Sequence, residues 1–302
     1  MSIVLYYHPM VREHRNSIAN IDDPSRIDGT MDYLRNSGAL DKVDIRMGHD
    51  ASIQELLFVH NPEYIAILHS QSPKKIASLY KDVSVNNFSL PAAKRSVGLA
   101  IDAATDVLTG KCKHGFVMCR PPGHHASYSK ASGFCIFNNI VYAAKLLSTH
   151  KKVLIFDWDV HHGDGTESRV NKMNKVHLVT VQRYDKGDFY PATGGTRSYN
   201  NITSIGFNGP IDGDSYIALF NDRVMDIVNT FEPDVVLISA GFDAAIDDPL
   251  GGCKLNPSDY NKMTHILMDS CDNVLAFLEG GYCINSLSKS VYAVIDAMLT
   301  HK

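Results

Sequence analysis

IFDWDVHHGDGT, residues 155–166, begins as an apolar run and breaks into three aspartates and two adjacent histidines. The run that feeds it, VLIFD (153–157), is continuous rather than alternating, as expected of a strand buried on both faces of a parallel sheet. Five further runs share that character: IVLYY (3–7), GFVMC (115–119), VHLVTV (176–181), DVVLIS (234–239) and VLAFL (274–278). Stretches with helical spacing of apolar residues lie between them: Pro91–Gly110, Asn138–Leu147, Asp214–Val228, Pro257–Asp272 and Ile284–Leu299. This alternation predicts an α/β fold with a central, mainly parallel sheet flanked by helices, whose ligands gather outside the carboxyl ends of the strands. The polar residues follow that rule. GFVMC runs into RPPGHHA, VLIFD into WDVHHGDG, DVVLIS into AGFDAA and VLAFL into EGGY. With no repeat and no linker-like segment, residues 1–302 read as a single catalytic-type domain with one site.

Bulk properties narrow the function classes. The chain is 44% apolar with a formal net charge of -4, a soluble globular composition with no electrostatic case for direct nucleic-acid or anionic-membrane binding. No apolar run approaches the ~18 residues needed to span a bilayer. The N-terminal MSIVLYYHPMVREH has too short an apolar segment, and no small-residue cleavage site, for a signal peptide. Six scattered cysteines without a CxxC pair fit free thiols in a reducing compartment, so the expected location is the cytoplasm or nucleus.

The four strand ends supply matched chemistry. Asp157, Asp159 and His161 stand at i, i+2 and i+4, one side of an extended segment, and their O/N donors suit Zn²⁺ or a similar divalent ion. Asp243 is placed to add a ligand from a second strand, giving the three-ligand arrangement of a catalytic rather than structural zinc site. Pro121, Pro122 and Gly123 form a rigid turn that presents His124 and His125 as an acid–base pair, with Asp157 and Asp164 as carboxylates to orient them. Gly280 and Gly281 permit a tight turn from which Tyr282 can donate a hydrogen bond to a developing oxyanion.

Taken together, RPPGHHA (120–126), GFCIFNN (133–139), DWDVHHGDGT (157–166), SAGFDAAIDDPLGG (239–252) and LEGGY (278–282) resemble the zinc-dependent histone deacetylase family, within the arginase–deacetylase superfamily. PLGG and RYDKGDFYP (183–191) look most like its class II branch. The resemblance implies the arginase/deacetylase fold and zinc-dependent hydrolysis of N-ε-acetyl-lysine in an acetylated protein or peptide. It makes Asp159, His161 and Asp243 the ligands of one zinc, His125 the general base partnered by Asp164, and His124 a second imidazole oriented by Asp157. Tyr282 becomes the hydroxyl that polarises the acyl carbonyl. Gly133, Phe134 and Tyr190 are expected to line a tunnel for the lysine stem, and Asp82 or Ser84 to contact the substrate backbone. Asp157, Thr180 and Val181, with the backbone of Asp159 and His161, match a potassium site. Leu250 stands where polyamine-selective relatives carry glutamate, which favours peptide over acetylpolyamine.

The chain also departs from the family pattern. NIDDPSR (20–26) is a degraded HPExPxR motif that keeps Arg26; Tyr190 replaces a commoner phenylalanine, and Gln182 a histidine. Three rivals stand beside the deacetylase reading. A binuclear manganese ureohydrolase needs DxHxD, but Gly163 occupies the last Asp position, and Ala245 stands where Asp243 would need a second partner. The others are an acetylpolyamine or small-amide hydrolase, and a non-catalytic acetyl-lysine reader.

Overall fold

Strands form where apolar runs are continuous, and the most continuous runs lie in the middle of the sheet. The structure, a computed structural model, describes residues 3–15, 21–80 and 82–301. Asn20 of the NIDDPSR segment and Lys81 of KDVSVNN lie outside them. The strands are β1 (Ile3–Tyr6), β2 (Val43–Arg46), β3 (His114–Val117), β4 (Val153–Asp157), β5 (Val176–Arg183), β6 (Arg197–Tyr199), β7 (Ile202–Phe207), β8 (Val235–Ala240) and β9 (Val274–Leu278). They make one nine-stranded sheet in the order β2-β1-β3-β9-β8-β4-β5-β7-β6. All neighbours are parallel except β6 and β7. Every residue of β4, β8 and β9 is buried, as the unbroken apolar runs require.

The helices are α1 (Ser25–Asn36), α2 (Ile53–Leu57), α3 (Pro62–Ser70), α4 (Pro73–Leu79), α5 (Ser89–Leu108), α6 (Asn139–Leu147), α7 (Asp164–Val170), α8 (Gly213–Leu219), α9 (Met225–Phe231), α10 (Pro257–Ser270) and α11 (Ile284–Thr300). Two groups of them pack together: α11 against both α1 and α10, and α6 against both α5 and α7. Local chemistry fixes several of their starts. Asn256 and Asp259 form a capping box before Pro257 opens α10, and Asn138 accepts the Val141 N–H at the start of α6.

The single helix expected over Asp214–Val228 is instead α8 and α9 joined by a π-type turn, Phe220–Val224. The buried residues Tyr216, Phe220, Val224 and Val228 recur every fourth position. In an ideal α-helix that spacing drifts by about 40° per step, and one widened turn takes up the drift.

This topology assembles the site. β3, β9, β8 and β4 are consecutive neighbours, all parallel, so their carboxyl ends emerge side by side on one edge. Those ends are level: Asp157 pairs with Ser239 and Thr180, and Ser239 with Phe277. Four segments scattered between residues 120 and 282 thereby become one surface.

Candidate active site

Asp159, His161 and Asp243 converge, each offering a ligand atom within 4.8 Å of the others. His161 Nδ1 lies 2.9 Å from Asp243 Oδ2 and 3.2 Å from Asp159 Oδ1. Backbone amides hold the carboxylates in place. Gly280 N–H donates to Asp159 Oδ2 at 2.9 Å, His161 N–H to Asp159 Oδ1 at 2.9 Å, and Val160 N–H to Asp243 Oδ1 at 2.9 Å. Glycine is required alongside. A Cβ on Gly241 would come within 2.0 Å of Asp159 Oδ2, and one on Gly280 within 2.4 Å of Asp243 Oδ2. Both carboxylates are fully buried. Burial disfavours charge on His161, but Asp243 and Asp159 outweigh it and raise the imidazole pKa. Burial and the Asp159 charge together raise that of Asp243. Two buried carboxylates focused on one ring nitrogen call for a positive centre between them. The O/N/O donor set, without thiolate, fits a divalent ion of the zinc type.

The adjacent histidines share a residue type but differ in charge preference. Their rings lie 4.0 Å apart between centroids. His124 Nδ1 sits 3.2 Å from Asp157 Oδ2, and its Nε2 3.8 Å from Asp159 Oδ1. Burial lowers its affinity for a proton, but the two aspartates outweigh that and raise it well above the ordinary value. His125 Nδ1 bonds Asp164 Oδ1 at 2.8 Å, while burial and the His124 charge push its pKa down to about 4. Environments that separate two imidazoles in this way assign one the charged and the other the neutral state.

Tyr282 follows Gly281, whose φ of +114° only glycine adopts readily. Its N–H donates to Asp248 Oδ2 at 2.6 Å, and the Arg26 guanidinium lies 5.0 Å from its ring centroid. Arg26 in turn donates to the carbonyls of Gly281 (2.6 Å) and Glu279 (2.5 Å) and to Asp22 Oδ1 (2.6 Å), so the residue kept from the degraded motif buttresses the EGGY turn. Burial raises the Tyr282 pKa well above the ordinary phenol value, which keeps the hydroxyl protonated.

A cavity of about 380 Å³ brings these groups together; it is lined by Asp82, His125, Gly133, Phe134, His161, Phe189, Tyr190, Leu250 and Tyr282. It runs from Tyr190, 41% exposed, to His125, 4% exposed. Ser84 is not part of the lining, whereas Asp82 is. Phe189, which sequence reasoning passed over for Tyr190, stacks on His161 with centroids 5.1 Å apart and planes at 14°. Asp157 is buried beside Thr180 and Ser239, and the Ser239 hydroxyl has no hydrogen-bond partner among the described residues. Val181 is buried, and its carbonyl accepts from Tyr216 at 3.4 Å. Gln182 is buried in a polar cluster with Thr180 and Ser204.

Sequence reasoning also missed two carboxylates. Asp248 ties the PLGG turn to Tyr282, accepting the Leu250 N–H on Oδ1 (2.9 Å) and the Tyr282 N–H on Oδ2. Glu279, fully buried, accepts the N–H groups of Gly123 (2.6 Å) and His124 (3.1 Å), joining the turn that carries Tyr282 to the one that carries the histidines. Its only signal was an acidic residue directly before Gly280-Gly281.

A parallel α/β sheet with a two-carboxylate, one-imidazole centre and a histidine pair at its carboxyl edge defines a protein built like a metal-dependent hydrolase. Comparison with known proteins makes this specific. A family profile described as "Histone deacetylase domain" matches residues 20–298. Histone deacetylase 15 of Arabidopsis thaliana is 41% identical over 256 residues, covering 82% of this chain and 46% of that protein. Histone deacetylase clr3 of Schizosaccharomyces pombe is 36% identical, covering 98% of this chain and 48% of its own. A solved structure described as "Crystal Structure of HDA15 HD domain" superposes with a TM-score of 0.92 at 34% identity, over 100% of this chain and 90% of that one. The chain belongs to the histone deacetylase family. It spans about half the length, or less, of the relatives it matches.

Proposed function

We propose that this chain hydrolyses the acyl amide of N-ε-acetyl-lysine in proteins or peptides, releasing acetate and lysine, with residues 1–302 acting as one catalytic unit. One observation carries the reading: a single cavity has apolar walls (Phe134, Phe189, Leu250) that fit an aliphatic stem and also reaches His161, His125 and Tyr282. A single zinc ion held by Asp159, His161 and Asp243 would supply Lewis-acid polarisation of the acyl carbonyl and a more acidic water.

The remaining steps belong to the chain's own side chains. His125, neutral because of burial and the nearby His124 charge, keeps its proton on Nδ1 toward Asp164 and accepts one at Nε2. Tyr282 donates its O–H to the acyl oxygen as charge develops there. His124, held cationic by Asp159 and Asp157, supplies positive charge beside the reacting groups, and the proton that His125 has accepted passes from the histidine pair to the departing lysine amine. Gly133, Phe134, Phe189 and Tyr190 seat the stem. Asp82, rather than Ser84, contacts the substrate backbone, because Asp82 alone of the two lines the cavity. Neutral Leu250 in the wall supports a peptide over a polyamine substrate. Asp157, Thr180 and Val181, with the Asp159 and His161 backbone, would hold a structural potassium ion; the unpaired Ser239 hydroxyl beside buried Asp157 supports this. Six free thiols suit a reducing compartment, the cytoplasm or nucleus.

The test is metal content together with hydrolysis of a fluorogenic acetyl-lysine peptide. One zinc per chain is expected, with turnover lost on chelation and restored by zinc. Zinc-loaded protein that is silent on every acyl-lysine would overturn the reading in favour of a binding module. Preferential cleavage of acetylspermidine would shift the substrate class.

A further inference from the structure

At the cavity mouth Asp82 is gripped from one side. Its Oδ2 accepts three hydrogen bonds: from Tyr190 Oη (2.7 Å), Gly133 N–H (2.9 Å) and Ser132 Oγ (3.0 Å). Ser132 Oγ and Tyr190 Oη are themselves 3.2 Å apart. Oδ1 has no partner from another described residue. Tyr190 also sets its ring edge-on to His125, with centroids 5.2 Å apart, so one side chain spans from the mouth of the cavity to its floor. Burial would raise the Asp82 pKa, but the Gly133 N–H, the Tyr190 hydroxyl and the Ser132 hydroxyl outweigh it, and the group stays charged.

A carboxylate turns about its terminal bond with little preference, so an isolated one at a cavity mouth presents no fixed acceptor. Three donors on one oxygen fix the plane and reserve the other oxygen for a ligand. The ordering cost then falls in the free protein and not at binding. With phenylalanine at 190, the longest-reaching of the three donors is gone.

We propose that Tyr190 is a positioning residue for substrate selectivity. Acting through Asp82, it makes the protein prefer acyl-lysines flanked by free backbone N–H groups. This rests on the amide-hydrolase reading above. The favoured substrate class is therefore an extended peptide with unsubstituted amides around the acyl-lysine. Sites N-alkylated at the acyl-lysine, or with proline directly after it, lack a donor and are disfavoured.

The experiment compares an acetyl-lysine peptide with its analogue N-methylated on the acetyl-lysine and the following residue, using the zinc-loaded full chain. Both are cleaved by the same preparation, so any loss of folded protein cancels in the ratio of their kcat/KM values. In the unaltered chain the ratio should be about tenfold or more, the discrimination expected of a hydrogen bond to a charged acceptor. Tyr190→Phe should reduce it several-fold and Asp82→Asn should bring it near unity. The double variant should fall no further than Asp82→Asn, since the two act as one unit. A ratio in Tyr190→Phe equal to that of the unaltered chain overturns the proposal, as does an additive double variant. A chain that cleaves neither peptide overturns the underlying hydrolase reading instead.

Discussion

Tyr282 can face the cavity only because its two predecessors have no side chains, and three different neighbours then hold it. Asp248 takes its N–H, Arg26 lies against its ring, and the Phe134 ring meets it edge-on at 5.9 Å. None of these contacts uses the hydroxyl, which has no protein partner among the described residues. A phenol positioned so fully and left unspent is available to a substrate oxygen. Tyr282→Phe should therefore leave metal content and melting temperature unchanged but lose roughly 100- to 1000-fold in kcat, the usual cost of one oxyanion donor. Measured turnover within a fewfold of normal would remove Tyr282 from the mechanism. Glu279 shows the reverse economy: one carboxylate oxygen serves two backbone amides, and burial, eased by His124, raises its pKa to about 7.

Helix α5 shows how an element far from the chemistry can set it. Ser96 on α5 accepts the Arg120 N–H and donates to the Arg120 carbonyl, both at 3.0 Å, fixing the base of the RPPGHH turn. Two residues on, Gly98 lies so close to the 48–51 segment that a Cβ would fall 1.8 Å from the His49 carbonyl oxygen. Gly98→Ala gains helix propensity, yet it should destabilise the protein by about 1–3 kcal/mol, because backbone cannot yield as a side chain does. Thermal melting checks this, and an unchanged or higher Tm would show that the segment moves freely. The same contrast explains what the sequence revealed. The six apolar runs are strands because burial on both faces demands such runs. β2 (VDIR) and β6 (RSY), short and polar, sit at the edges, where no such demand exists, and they went unseen with β7. Residues with distinctive chemistry, such as Asp159, His161, Asp243 and the histidine pair, could be picked out from their strand ends. Phe189, Asp248 and Glu279 could not, since their importance lies in the neighbours that folding brings to them.

For the molecule as a whole, buried ionisable groups set two windows of acid sensitivity. His60 is enclosed by Tyr64, Phe137 and Tyr142 and accepts the Asn138 N–H, and burial pushes its pKa down to about 4. Its unfolded value is ~6.5, so the unfolded chain takes up the proton first as pH falls. The stabilisation is complete above about 6.5 and is lost progressively toward 4, by roughly 3 kcal/mol in all. His114, likewise lowered by burial, acts in the same direction. Asp22 behaves differently. Burial opposes its charge, but Arg120, His14 and Arg26 outweigh it and hold it far below the carboxylate range, so its contribution is lost only below about pH 4. His60 and His114 thus pull urea midpoints down between pH 6.5 and 4.5, while Glu279, its pKa raised by burial to about 7, pulls them up over the same range. His60→Gln, which can still accept the Asn138 N–H, removes one downward pull, so its midpoint should gain on that of the unaltered chain as pH falls from 6.5 to 4.5; parallel pH profiles would exonerate His60.

The strand order also has a meaning in time. β3 and β9 lie side by side, yet just over half of the 302 residues are synthesised between them. Until Val274–Leu278 has left the ribosome, β3 and β8 each keep an open edge where β9 belongs, and open edges invite wrong partners. A nascent chain that has passed Asp243 already carries every candidate metal ligand, but it lacks the Gly280 amide that fixes Asp159. Insertion of the last strand thus closes the sheet and readies the centre in one event, so a half-made chain cannot acquire the finished site early.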